Sequence, residues 1–128
     1  MIKANELRLG NYVALTKEAK EDFQNIIGEK TNDCYDITYF NSDGVDFDGY
    51  DFTFNELKPI PLTEEWLLKF GFEKGHKGKL FVILKNNLGY ENGRTYFNSS
   101  CISESQPKHV HQLQNLYFAL TGEELTIK

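Results

Sequence analysis

The segment His109-Val-His-Gln-Leu-Gln-Asn-Leu-Tyr-Phe-Ala-Leu-Thr121, closed by Gly122, is an amphipathic stretch without one acidic residue, lysine or arginine. At 100° per residue, Val110, Leu113, Leu116, Tyr117 and Leu120 share one arc of a helix, the pattern of a core-facing stripe. The other side carries His111, Gln112, Gln114, Asn115 and Phe118. A solvated helix face normally holds Lys and Glu at i,i+4 spacing. A face of amides and one aromatic ring predicts a helix covered on more than one side, by the rest of the chain or by a partner. That requirement limits the fold to one in which the last helix is packed rather than appended.

With 128 residues, 40% apolar and 14% aromatic, the chain can bury a real core as one domain or as two small lobes. Ten Phe and seven Tyr favour sheet-rich structure. The opening Met-Ile-Lys-Ala-Asn-Glu-Leu-Arg has no apolar run of signal-peptide length, and no stretch approaches the roughly 18 apolar residues that span a bilayer. These features predict a soluble, cytoplasmic protein with no membrane partner. Cys34 and Cys101 stand alone, without Cys-x-x-Cys spacing, and read as reduced, packed thiols.

Charge is distributed unevenly. Residues 1–65 hold six Lys/Arg and fourteen Asp/Glu, residues 66–94 six and two, and residues 95–128 two and three, giving −8, +4 and −1 and a total of −5. A negative total opposes non-specific binding to nucleic acid, since phosphate repels it. The central basic stretch can still form a local patch, or face the acidic part within the fold.

The first sixty residues read as β-structure. Leu7–Leu15 contains a turn at Gly10-Asn11 and then a short strand, and Phe23–Ile27 reads as a second strand bounded by Gly28. Thr16–Asp22 is polar and fits either a loop or one helical turn. Cys34–Phe40 alternates Tyr35, Ile37 and Tyr39 against Cys34, Asp36 and Thr38, the period of a half-buried strand. Asn41–Gly44 is a turn, followed by strands at Val45–Phe47 and Tyr50–Phe54 around Asp48-Gly49. Phe54–Ile60 supplies a short turn before an exit strand. Five short strands with tight turns predict a small antiparallel barrel or curled meander, resembling the Src-homology type.

Pro59-Ile-Pro61 is the joint, and Leu62–Phe72 is a helix with both ends written into it. Thr63 is the N-cap, and Glu64 and Glu65 sit at the positive end of the helix dipole. Leu62 and Leu67 make the hydrophobic-staple pair. Gly71 followed by Phe72 forms a Schellman stop. Beyond it, Leu80–Leu84, Leu88–Tyr90 and Arg94–Asn98 predict a three-stranded meander, with Asn92-Gly93 as its clearest hairpin turn. Ser99–Lys108 reads as a polar connection to the C-terminal helix, and Leu125 and Ile127 as a final short strand. The fold class is α+β: a β-rich barrel-like half at 1–60 and a helix–meander–helix half at 61–128.

No motif for catalysis or for a cofactor emerges. Gly75-His-Lys-Gly-Lys79 has two residues between its glycines where a phosphate loop needs four, and a strand follows where that loop needs a helix. The same strand breaks the match to the Gly-x-x-Gly clamp of a KH module. Asp43, Asp46, Asp48 and Asp51 satisfy no register of a calcium loop and read as turn aspartates. His109 and His111, two apart on a helix, would point about 200° from each other and could not share an ion. Cys101 with either histidine would need a depressed thiol pKa, which the local sequence does not supply. The expectation is a protein that is not an enzyme and carries no metal or cofactor.

Three segments together carry a resemblance: Asn5–Val13, Pro59–Phe72, and Val110–Leu125 with its Leu-Thr-Gly-Glu-Glu-Leu ending. On them the chain resembles a family of small uncharacterised proteins encoded by Bacteroidetes genomes, their phages and integrated elements. The resemblance implies a cytoplasmic accessory protein of a mobile element and assigns no site residue. The leading functional expectation is therefore a non-enzymatic interaction protein that binds a protein partner or itself through His111, Gln114, Asn115 and Phe118. The alternative is a nucleic-acid-binding surface of Lys74, Lys77, Lys79, Lys85, Tyr90, Arg94 and Tyr96, which joins positive charge to stacking rings. A third reading has the acidic first half imitate DNA.

Overall fold

A computed structural model describes residues 2, 4–28, 32–47, 49–74, 81–83, 88–91, 94–97, 100–102 and 107–127. It is mixed helix and antiparallel sheet, and it divides into two compact units, Met1–Ile60 and Pro61–Lys128.

In the first unit a 3-10 turn, Ala4–Glu6, leads through Gly10 into strand β1, Tyr12–Leu15. Asn11 fixes that entry: its side-chain oxygen accepts from the Arg8 N–H at 2.8 Å, its own N–H donates to the Arg8 carbonyl, and its carbonyl accepts from the Ile37 N–H. Helix α1, Lys17–Ile27, follows where the sequence fits a loop or one helical turn at Thr16–Asp22 and predicts a strand at Phe23–Ile27. Its cause is local. Thr16 caps the helix by accepting from the Ala19 N–H at 3.3 Å, and Ala19 and Phe23, four apart, supply the buried stripe. Ile26 sits on the exposed side and lends the tail of the helix a strand-like appearance in sequence.

Strands β2, Tyr35–Asp36, and β3, Tyr39–Phe40, occupy the stretch expected as one strand. The chain bends between them. Ile37 hydrogen-bonds β1 through Asn11, and the next residue, Thr38, donates its N–H to Asp46 of β4, Gly44–Phe47. The in-and-out alternation breaks at the bend, so Tyr35 and Ile37 are buried while Tyr39 is 63% exposed. Strand β5, Tyr50–Thr53, pairs with β4 in a hairpin whose register sets Phe47 opposite Tyr50. A 3-10 turn, Phe54–Glu56, then returns the chain to β1 as β6, Leu57–Lys58.

Two three-stranded sheets result, in the orders β2-β1-β6 and β3-β4-β5, sharing the bent segment 35–40. Among the described residues neither sheet closes into a ring. One buried cluster joins them: Ile2, Leu7, Val13, Leu15, Ala19, Phe23, Tyr35, Ile37, Val45, Phe47, Phe52 and Leu57. The rings interlock: Phe23 meets Tyr50 and Phe52 edge-on at 4.8 and 5.2 Å, and Tyr35 stacks on Phe47 at 5.3 Å. Gly44 is required by space. A Cβ there would overlap the Phe52 carbonyl and lie 2.7 Å from the Thr53 Cα. On the outer strand of this sheet, Glu56 turns back and accepts from the Thr53 N–H at 2.9 Å. That bond occupies a backbone donor which an edge would otherwise offer to another chain.

In the second unit, helix α2, Glu64–Lys69, carries the ends its sequence specifies. Thr63 accepts from the Trp66 N–H at 3.4 Å. At the other end Phe72 donates to Leu67 and Gly71 to Leu68, both at 3.0 Å, with Gly71 at φ +92°, the paired bonds of a Schellman stop. Trp66, Leu67 and Phe70 are buried, and Lys69 lies 4.7 Å over the Trp66 ring.

The meander is larger than the sequence indicates. Beside β8, Phe81–Ile83, β9, Leu88–Glu91, and β10, Arg94–Phe97, it gains β7, Glu73–Lys74, and β11, Ser100–Ile102. The five run in chain order, every neighbouring pair antiparallel. Ser99–Lys108 therefore is not only a connection: its first part is the edge strand, hidden in sequence by serines. Glu91 pairs with Arg94, as a two-residue turn at Asn92-Gly93 requires, although the turn itself lies outside the described residues. Helix α3, Val110–Thr121, ends at Gly122. Among the described residues of the tail beyond it no strand forms; Leu125 is buried and Ile127 exposed.

Candidate functional site

Helix α3 is built from its first turn. His109 is the N-cap in extended conformation (φ −127°, ψ 155°), and the Gln112 side chain reaches back to accept from the Lys108 and His109 N–H groups at 2.9 and 3.1 Å. Leu62 donates to the Lys108 carbonyl at 3.0 Å, and Pro61 bridges His109, so the entries of α2 and α3 run side by side. Because His109 precedes the helix, the helical wheel does not apply to it. Its ring stacks on that of His111, with centroids 6.0 Å apart and planes 12° from parallel. The expected divergence of about 200° is thus corrected. Among the described residues no three His, Cys, Asp or Glu converge as ligands.

The four residues expected to form a docking face separate. His111 (1% exposed) and Gln114 (0%) are buried, Asn115 is half-buried, and Phe118 is 40% exposed. For His111 and Gln114 the expectation of a partner-facing position is therefore corrected. Gln114 has an internal role: its Nε2 donates to the Leu125 carbonyl at 3.2 Å and ties the tail to the helix. The cause is rotational. Val110, His111, Leu113, Gln114 and Tyr117 are inside, an arc turned by about 70° from the one that hydrophobicity alone picks out. Leu116 and Leu120, read as core, come to the boundary and are half-buried. The half-buried or exposed residues Gln112, Asn115, Leu116, Phe118, Ala119 and Leu120 form a broad outer arc without a charge, with Phe118 at its edge near His111 and Gln114 and the two leucines at the opposite edge.

Of the lysine–tyrosine set, the two rings lie on opposite faces of the sheet. Tyr90 pairs with Thr95, while Tyr96 pairs with Gly89. Neighbouring residues of a strand point to opposite sides of the sheet, so Tyr90 and Tyr96 cannot stack on the same strand of nucleic acid. Tyr90 shares the row of Lys74 and buried Thr95, and its burial raises the phenol pKa. Lys74 is exposed on β7, and Arg94 opens β10 opposite Glu91. Lys77, Lys79 and Lys85, with the Gly75–Lys79 loop, lie outside the described residues.

Of the four turn aspartates, Asp46 and Asp51 face each other across the β4–β5 pair, beside the exposed Tyr39 in the same row. A hydrogen bond to Asp46 and repulsion from its charge raise the Asp51 pKa. The amide of Asn41 donates to the Asp46 carboxylate at 3.1 Å. Asp43 holds a turn with Asn41, and Asp48 lies outside the described residues. Of the two cysteines, Cys34 is a half-buried thiol and Cys101 stands opposite Tyr96 in β11.

No helix among the described residues is long and apolar enough to cross a membrane. Compared with protein-family models, with curated proteins and with solved structures, the chain matches none.

Proposed function

We propose that this chain is a non-enzymatic interaction protein that docks a protein partner, or a second copy of itself, on the outer arc of α3. The observation that carries the reading is the composition of that arc. Phe118 is 40% exposed on one edge of that arc, half-buried Leu116 and Leu120 lie on the other, and no charged side chain lies anywhere in Val110–Thr121. Solvent-facing helix surfaces are ordinarily charged, and rings with amides and few charges are the make-up of an interface centre.

The test compares wild type with Phe118→Asp and Phe118→Arg by light scattering and by co-purification from the native host. Both variants should lose the complex while their melting curves stay within a few degrees of wild type. Two substitutions are needed because an acid near a helix C-terminus opposes the dipole and a base does not. A wild-type protein that stays monomeric and partnerless, or variants that both unfold, would overturn the proposal.

In the same reading, the first unit is a partly open barrel of Src-homology type. Two features support it: a 3-10 turn precedes the exit strand, and that strand returns to β1. The bent segment 35–40 then carries the hydrogen-bonded ladder onward to β4 and β5. The resemblance at residues 5–13, 59–72 and 110–125 would make the chain an accessory protein of a phage or mobile element.

A further inference from the structure

We draw no further inference here: the strongest candidate, the exposed row of Tyr39, Asp46 and Asp51 on the outer face of the β3–β4–β5 sheet, is two carboxylates beside one ring, and nothing in the structure shows what would cover it.

Discussion

Replacing Gln114 with alanine separates the inner from the outer side of α3. The carboxamide is fully buried and donates to the Leu125 carbonyl at 3.2 Å. Its removal leaves a buried acceptor, costing about 1–3 kcal/mol. The void adds about 1 kcal/mol if roughly 50 Å³ stays unfilled. Regained side-chain freedom and the better helix propensity of alanine offset about 1 kcal/mol. The net is a destabilisation of about 2 kcal/mol. With a urea dependence of about 2 kcal/mol per molar, the unfolding midpoint should fall by about 1 M at constant slope. Far-UV circular dichroism in urea measures it. A partner-facing amide would shift stability by no more than about 0.5 kcal/mol. A midpoint change below about 0.25 M would therefore refute the burial of Gln114 and restore it to the docking face.

Three further outcomes are expected. Gly44→Ala forces a methyl into the β5 backbone, so its melting temperature should show a loss at or beyond the ~3 kcal/mol upper range of overpacking; a neutral effect would mean β4 and β5 are farther apart. Thr63→Ala removes the acceptor for the Trp66 N–H and should cost about 1 kcal/mol, or about 4 °C in a calorimetric melt. Asp51 binds its proton more tightly folded than unfolded, so its contribution is most favourable below the ordinary aspartate range and is lost as pH rises through the raised pKa. Asp51→Asn should accordingly stabilise the protein at neutral pH and have little effect in acid; equal effects at both would remove the repulsion from the account.

Much of this was legible where local chemistry decides the structure. Thr63, Gly71 and Phe72 specify both ends of α2 through bonds that span only a few residues, and the Glu91–Arg94 pairing fits the hairpin expected around Asn92-Gly93. The failures occur where one local signal masks another or where tertiary packing overrides local pattern. Phe23–Ile27 looks like a strand because Ile26 and Ile27 are β-branched, yet Thr16 and the Ala19–Phe23 spacing make it a helix. Tyr39 continues an alternation that the backbone abandons at Ile37, where the chain changes partner strands. In α3 a hydrophobicity count favours Leu116 and Leu120 over His111 and Gln114. It cannot anticipate that a carboxamide will bind a carbonyl eleven residues away. The buried arc, and the candidate surface with it, lies about 70° from the one that the count picks out.

A photo-activatable cross-linker placed at position 118 in the native host tests the docking claim most directly, with position 64 on α2 as the control. Adducts of one defined mass from 118 and none from 64 are the predicted result. No adduct at 118, or the same adducts from both positions, would contradict it.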